Sequence, residues 1–199
     1  MAQILQIYRD PVKDGHEAAY RTVEEDAARI CARLKFPNPH LAIESLSGPK
    51  EVWWLNAFAS EAERQRVTRD YESNPELVAA LGGIAKRREG LTGAPVDLLT
   101  TYRADLSRGA VWQPAGARFV VATVTREDRQ GGGAVFEAPD GARYVMKPVR
   151  TRGEADIEAA AADSQTTIFA VRPYWGMPAK EWIAADPEFW KESPMASVQ

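Results

Sequence analysis

The sequence predicts an α+β fold in two parts: an antiparallel sheet with helices on one face over residues 1–105, and a smaller α+β module after it. Three observations predict this. Apolar runs of strand length alternate with helix-period stretches in the order strand, helix, strand, strand, helix, strand. The helical stretches open on recognisable capping residues. The 199 residues are 45% hydrophobic and 27% charged, which is enough apolar material for a core and too much for a disordered chain.

Residues 3–8 (QILQIY) read as a short strand, which Asp10-Pro11 is expected to break. Asp14 and Glu17 have the spacing of a capping box. The helix they open should run to about Leu34, with Tyr20, Val23, Ala27, Ile30, Cys31 and Leu34 on one apolar face and Glu24, Glu25, Arg29 and Arg33 turned to water. Pro37 and Pro39 end it. Residues 41–46 (LAIESL) and 51–58 (EVWWLNAF) read as strands joined by a turn at Gly48-Pro49-Lys50. Ser60 with Glu63 caps a helix to about Glu72. Asn74-Pro75-Glu76 starts another, carrying the stripe Leu77, Val78, Leu81 and Ile84 to about Arg88. Residues 97–103 (DLLTTYR) read as the fourth strand. Two right-handed crossovers around a central hairpin make this a ferredoxin-like βαββαβ module.

Residues 106–117 read as a linker. The second module, residues 118–192, has strands at 118–125, 134–138, 143–149 and 166–172 and a helix at 153–163. Gly131-Gly132-Gly133 joins its first two strands and Pro139-Asp140-Gly141 makes a tight turn. No helix separates those first two strands, so this is not a clean repeat of the first module. Residues 178–191 read as two short helical turns pinned by Trp182, Ile183, Phe189 and Trp190, and residues 193–199 as a loose tail.

The third strand is apolar on both sides. Alternate residues point to opposite faces, so Val52, Trp54, Asn56 and Phe58 share one and Trp53, Leu55 and Ala57 the other. A sheet covered by helices on one side only should be polar on the other. Leaving a Trp or Leu in water forfeits roughly 1.5–3 kcal/mol each. Something therefore covers the second face. A twofold-related copy is the expected cover, with the C-terminal module as the alternative. Trp53 is expected beneath the helices.

At this point the first part resembles a known group. The opening Tyr8-Arg-Asp-Pro-Val-Lys-Asp-Gly-His-Glu17, the strand Glu51-Val-Trp-Trp-Leu-Asn-Ala-Phe58 and the run from Ser60 to Asn74-Pro75-Glu76 are similar to the dimeric α/β-barrel superfamily, including its antibiotic-biosynthesis-monooxygenase-like proteins. The resemblance covers roughly residues 1–105. It implies a homodimer whose two sheets form a barrel, with a pocket between sheet and helices in each subunit. The haem-degrading branch of that group uses a histidine on the second long helix, where this chain has Leu77, Val78 and Leu81, so haem ligation by that route is not expected.

Composition narrows the function. A net charge of −3 without a basic face argues against a nucleic-acid partner, and one cysteine excludes an internal disulfide or a cysteine zinc cluster. No run approaches the ~20 apolar residues of a membrane helix, and the alternating start is unlike a signal peptide. A cytoplasmic protein without metal or cofactor is expected. His16, beside a helix start, and His40, after Asn38-Pro39, read as surface or loop residues; Cys31 reads as an inert buried thiol. Gly131-Gly132-Gly133 lacks the lysine and helix of a phosphate loop. Arg143, Lys147, Arg150 and Arg152 read as solvated surface.

Trp54 and Asn56 are the leading ligand-binding candidates, because a buried Asn needs hydrogen-bond partners and beside a Trp can orient an aromatic molecule. Tyr71, Tyr102 and Arg103 complete the set, with Asn56 and Tyr102 as the catalytic candidates. Binding of a small aromatic or apolar molecule in the barrel's pocket is the leading expectation. A cofactor-independent monooxygenase or isomerase, acting on an aromatic or polyketide-like substrate held as its anion, is the enzyme alternative. A structural or interaction role without a ligand is the third.

Overall fold

The strand expected at 3–8 runs further, as β1 (Ile4–Pro11). The computed structural model describes residues 1–127, 132–162 and 165–195, and in it β1 is paired antiparallel on both edges, to β3 (Glu51–Phe58) and β4 (Val96–Tyr102). The ladder is two-sided through Arg9, and pairing with β3 alone carries it through Asp10. Pro11, which has no N–H to give, comes only at its end. α1 (Glu17–Arg33) starts on His16 with no side-chain cap bond. The capping box expected on Asp14 and Glu17 does not form, because both carboxylates turn to Lys50, at 2.9 and 2.5 Å. β2 (His40–Ser45) and β3 form the hairpin. α2 (Glu61–Glu72) and α3 (Pro75–Arg88) start where their caps place them: Ser60 Oγ accepts from the Glu63 N–H at 3.2 Å and Asn74 Oδ1 from the Leu77 N–H at 3.1 Å.

The short α4 (Ala104–Ser107) follows β4, and then come β5 (Phe119–Thr125), β6 (Ala134–Glu137), β7 (Arg143–Val149), α5 (Arg152–Ala161) and β8 (Thr166–Val171). Across the first half the strands lie in the order β4-β1-β3-β2, and across the second β8-β5-β7-β6, which is the same order by position. The seams are reciprocal. The second strand of each half pairs antiparallel with the fourth strand of the other, β2 with β8 and β6 with β4. The eight strands thereby close into one antiparallel barrel.

This arrangement settles what covers the sheet. Trp53 and Leu55 point into the barrel with Leu5, Ile7, Val120, Phe136, Met146 and Phe169, while Trp54, Asn56 and Phe58 face the helices. Both faces are covered, as the alternation demands. The cover of the inner face is the chain's own β5–β8, so the expectation of a twofold-related copy there is corrected. So is the place of Trp53, which fills the barrel while Trp54 lies beneath the helices. Trp53 is held by its N–H to Glu51 Oε2 at 2.6 Å and by the Arg9 guanidinium 4.9 Å above its ring.

Residues between β4 and β5 do more than link, since Trp112 is buried in the barrel core. α6 (Lys180–Ala185) and α7 (Pro187–Trp190) pack onto that core through Trp182, Ile183, Phe189 and Trp190. Asp186 fixes α7 by accepting from Arg118 at 2.8 and 3.1 Å. The tail expected to be loose begins fixed: Ser193 is buried, and Met195 packs near Cys31 and Met177. Residues 196–199, like Gly131 and the end of the helix expected at 153–163, lie outside the described residues. No described helix is long and apolar enough to cross a membrane.

Candidate functional site

A cleft of about 440 Å³ opens between the outer face of the first half's sheet and its helices. Strand alternation supplies the floor: Gln6 and Tyr8 from β1, His40 from β2, and Trp54, Asn56 and Phe58 from β3. Helical spacing supplies the roof: Glu24, Ala27, Ala28 and Cys31 from α1, Arg64, Val67, Thr68 and Tyr71 from α2, and Leu81 and Arg88 from α3. Phe36 closes one side. Trp175, from the segment after β8, closes another, so the second half completes a cleft in the first.

Of the residues expected from sequence, Trp54, Asn56 and Tyr71 meet in this cleft. Tyr102 and Arg103 do not. The alternation of β4 turns Tyr102 into the barrel, where its hydroxyl donates to the Ala110 carbonyl at 2.6 Å. Arg103, at the strand's end, is tied to Asp105 at 2.7 Å and Glu137 at 2.6 Å. Asn56 Oδ1 accepts from Asn38 Nδ2 at 3.3 Å, which leaves its own amide N–H₂ to donate. The expected basic surface cluster is paired: Arg143 with Glu137, Lys147 with Glu158, Arg150 with Asp186 and Arg152 with Asp156.

His40 is not the loop residue expected. It opens β2, is 7% exposed, and sits between Phe36 and Trp54 with ring centroids 5.2 and 5.7 Å away. Burial lowers its pKa to about 4, so the ring is neutral. Its Nδ1 lies 3.4 Å from the Asn38 carbonyl oxygen. A carbonyl only accepts, so Nδ1 holds the proton and Nε2 carries the lone pair. His16 is exposed, as expected. Cys31 lines the cleft as a thiol, its pKa pushed up to about 12 by burial and then by the charge of Glu24.

The inner end of the cleft holds an ionic group, and the expectation that Glu24 turns to water is corrected there. Glu24 is fully buried and takes both arms of the Arg88 fork, at 2.6 and 2.9 Å. Asp10, also fully buried, accepts from the Tyr20 hydroxyl at 2.8 Å and lies 3.6 Å from Arg88. Burial raises Glu24 to about 7 against the opposing pull of Arg88, and raises Asp10, Tyr8 and Tyr20 as well. Asp10 Oδ1, Trp54 Nε1 and Trp175 Nε1 are buried without a hydrogen-bond partner among the described residues, and all three belong to this end. Glu24 and Arg88 stand 64 residues apart in sequence, beyond the reach of local patterns. One signal was present: Glu24 follows Tyr20 by four positions and precedes Cys31 by seven, which puts a carboxylate inside the apolar stripe.

Among the described residues no group of His, Cys, Asp and Glu is arranged to hold a metal ion. No family model and no curated protein matches the chain. Solved structures do match. A protein of Fusobacterium nucleatum subsp. nucleatum, named a "putative monooxygenase", is 11% identical with a TM-score of 0.55, covering 85% of this chain and 92% of its own. A protein named a "putative chlorite dismutase" is 7% identical with a TM-score of 0.50, covering 93% of this chain and 98% of its own. At such identities the likeness is one of fold alone.

Proposed function

We propose that this protein binds a small, largely apolar aromatic molecule in the cleft of its first half. One observation carries the reading. A cleft of about 440 Å³ has Phe36, Trp54 and Tyr71 in its walls, and among its polar groups Asn56 and His40 keep hydrogen-bonding capacity for a ligand. Sites for small organic molecules have that size and that balance. The barrel interior is packed with side chains. A purely structural role would leave the cleft without a purpose.

The repeated strand order and reciprocal seams support reading the chain as two ferredoxin-like halves fused into one barrel, of which the half with all its helices keeps the cleft. The oxygenase alternative fits less well. It needs Asn56 and Tyr102 to act together on a substrate anion, yet Tyr102 lies inside the barrel. The two carboxylates at the cleft's inner end, against one guanidinium, oppose an anion there.

The test is native mass spectrometry for a carried ligand, followed by titration with 1-naphthol while tryptophan fluorescence is recorded. Saturable quenching is expected, lost in Trp54→Ala and kept in Tyr102→Phe. Equal loss in both variants, or no saturation in the wild type, would overturn the reading.

A further inference from the structure

The charge count at the cleft's inner end points to the chemistry of the ligand's polar group. The groups that converge there are Tyr8 and Asp10 from β1, Tyr20 and Glu24 from α1, Arg88 from α3, Trp54 from β3 and Trp175 from the segment after β8. Two are carboxylates with no solvent exposure and one is a guanidinium. The fork of Arg88 is already committed, two arms to Glu24 and the third toward Asp10. Arg64, at the cleft's α2 side, gives Nε and Nη2 to Glu61 at 2.8 and 2.6 Å. An incoming anion would meet the Glu24 carboxylate, with the charge of Asp10 buried near Arg88, and no free guanidinium. An incoming cation would meet the Glu24 carboxylate, in a group with two carboxylates to one guanidinium, and the aromatic rings of Tyr8 and Trp54.

We infer that the cleft is selective for an aromatic amine, its ammonium seated against Glu24 and its rings between Phe36, Trp54 and Tyr71. This rests on the reading of the cleft as an aromatic-ligand site and adds the charge of that ligand. Burying a carboxylate in excess over its counter-ions is unfavourable, and a cation relieves it. The raised pKa of Glu24 is the same imbalance met by a proton, and an ammonium would take that proton's place.

The experiment uses the full chain and three probes of one shape: 2-(1-naphthyl)ethylamine, 2-(1-naphthyl)ethanol and 3-(1-naphthyl)propionate, each titrated by calorimetry. At pH 8 the amine should bind at least about tenfold more tightly than the propionate, with the alcohol between them. At pH 5.5 the amine stays charged while Glu24 gains its proton, so the preference should shrink. Glu24→Gln should shrink it at pH 8 as well; Asp10→Asn gives the same test through the second carboxylate should the first variant fail to fold. Equal binding of the three probes, or preference for the propionate, overturns the amine and leaves the aromatic cleft standing. A preference unchanged between the two pH values and in both variants also overturns it. Binding of none at millimolar concentration overturns both readings.

Discussion

Replacing Glu24 with Gln should change the pH dependence of stability in a calculable direction. Glu24 has its pKa raised from 4.5 to about 7 in the folded protein, mainly by burial. A group raised on folding contributes stability that is full below its unfolded pKa and is lost as pH rises through the folded one. The window is therefore pH 4.5 to about 7. At about 1.4 kcal/mol for each pH unit between the two values, the loss comes to about 3 kcal/mol. His40 works in the opposite sense. Its pKa falls from 6.5 to about 4, so its contribution is full above pH 6.5 and is lost as pH falls toward 4. The two contributions therefore oppose each other in the overlap. Glu24→Gln keeps the His40 slope and removes its own. Urea unfolding of both proteins at pH 4.5, 6 and 8, followed by circular dichroism, isolates the effect as a difference of differences. On going from pH 4.5 to 8 the variant should gain about 3 kcal/mol relative to the wild type. Parallel curves would refute the claim that Glu24 is buried against insufficient positive charge.

Three further substitutions separate the barrel from the cleft. Trp190→Ala removes a 1% exposed side chain from the barrel core and should cost about 3–5 kcal/mol in urea unfolding, while the affinity of folded protein for 1-naphthol stays as it was. Tyr102→Phe removes only the hydroxyl bonded to the Ala110 carbonyl and should lower stability by about 1 kcal/mol, again with affinity unchanged. Asn56→Ala should do the reverse, weakening the naphthol titration more than it lowers Tm; the opposite ranking would make Asn56 a scaffold residue.

What could be read in advance depended on how local the cause was. α2 and α3 begin where Ser60 and Asn74 say they should, because a cap acts over three residues. The two-sided apolarity of β3 correctly required cover on both faces. The identity of the cover was not legible, because the pairings of β2 with β8 and β4 with β6 join residues more than thirty positions apart and leave no periodic trace. Which of Trp53 and Trp54 faces the helices is a question of register, and alternation alone gives two answers. Trp54 and Asn56 share one face of β3, so a single choice of register carries both to the cleft, and the same two-fold choice in β4 decides that Tyr102 points into the barrel. Glu24 was read as solvated because charged residues on helices usually are; only Arg88, brought over by α3, makes its burial tolerable.

Because both sheets of the barrel belong to one polypeptide, its two sides are free to diverge. An assembly of identical chains carries every substitution twice and so presents twin sites. Here no described residue between β5 and β6 is helical, whereas α1 joins β1 to β2 on the other side. A ligand in the cleft should therefore saturate at one equivalent per barrel, with a simple hyperbolic isotherm and no twin site for it to cooperate with.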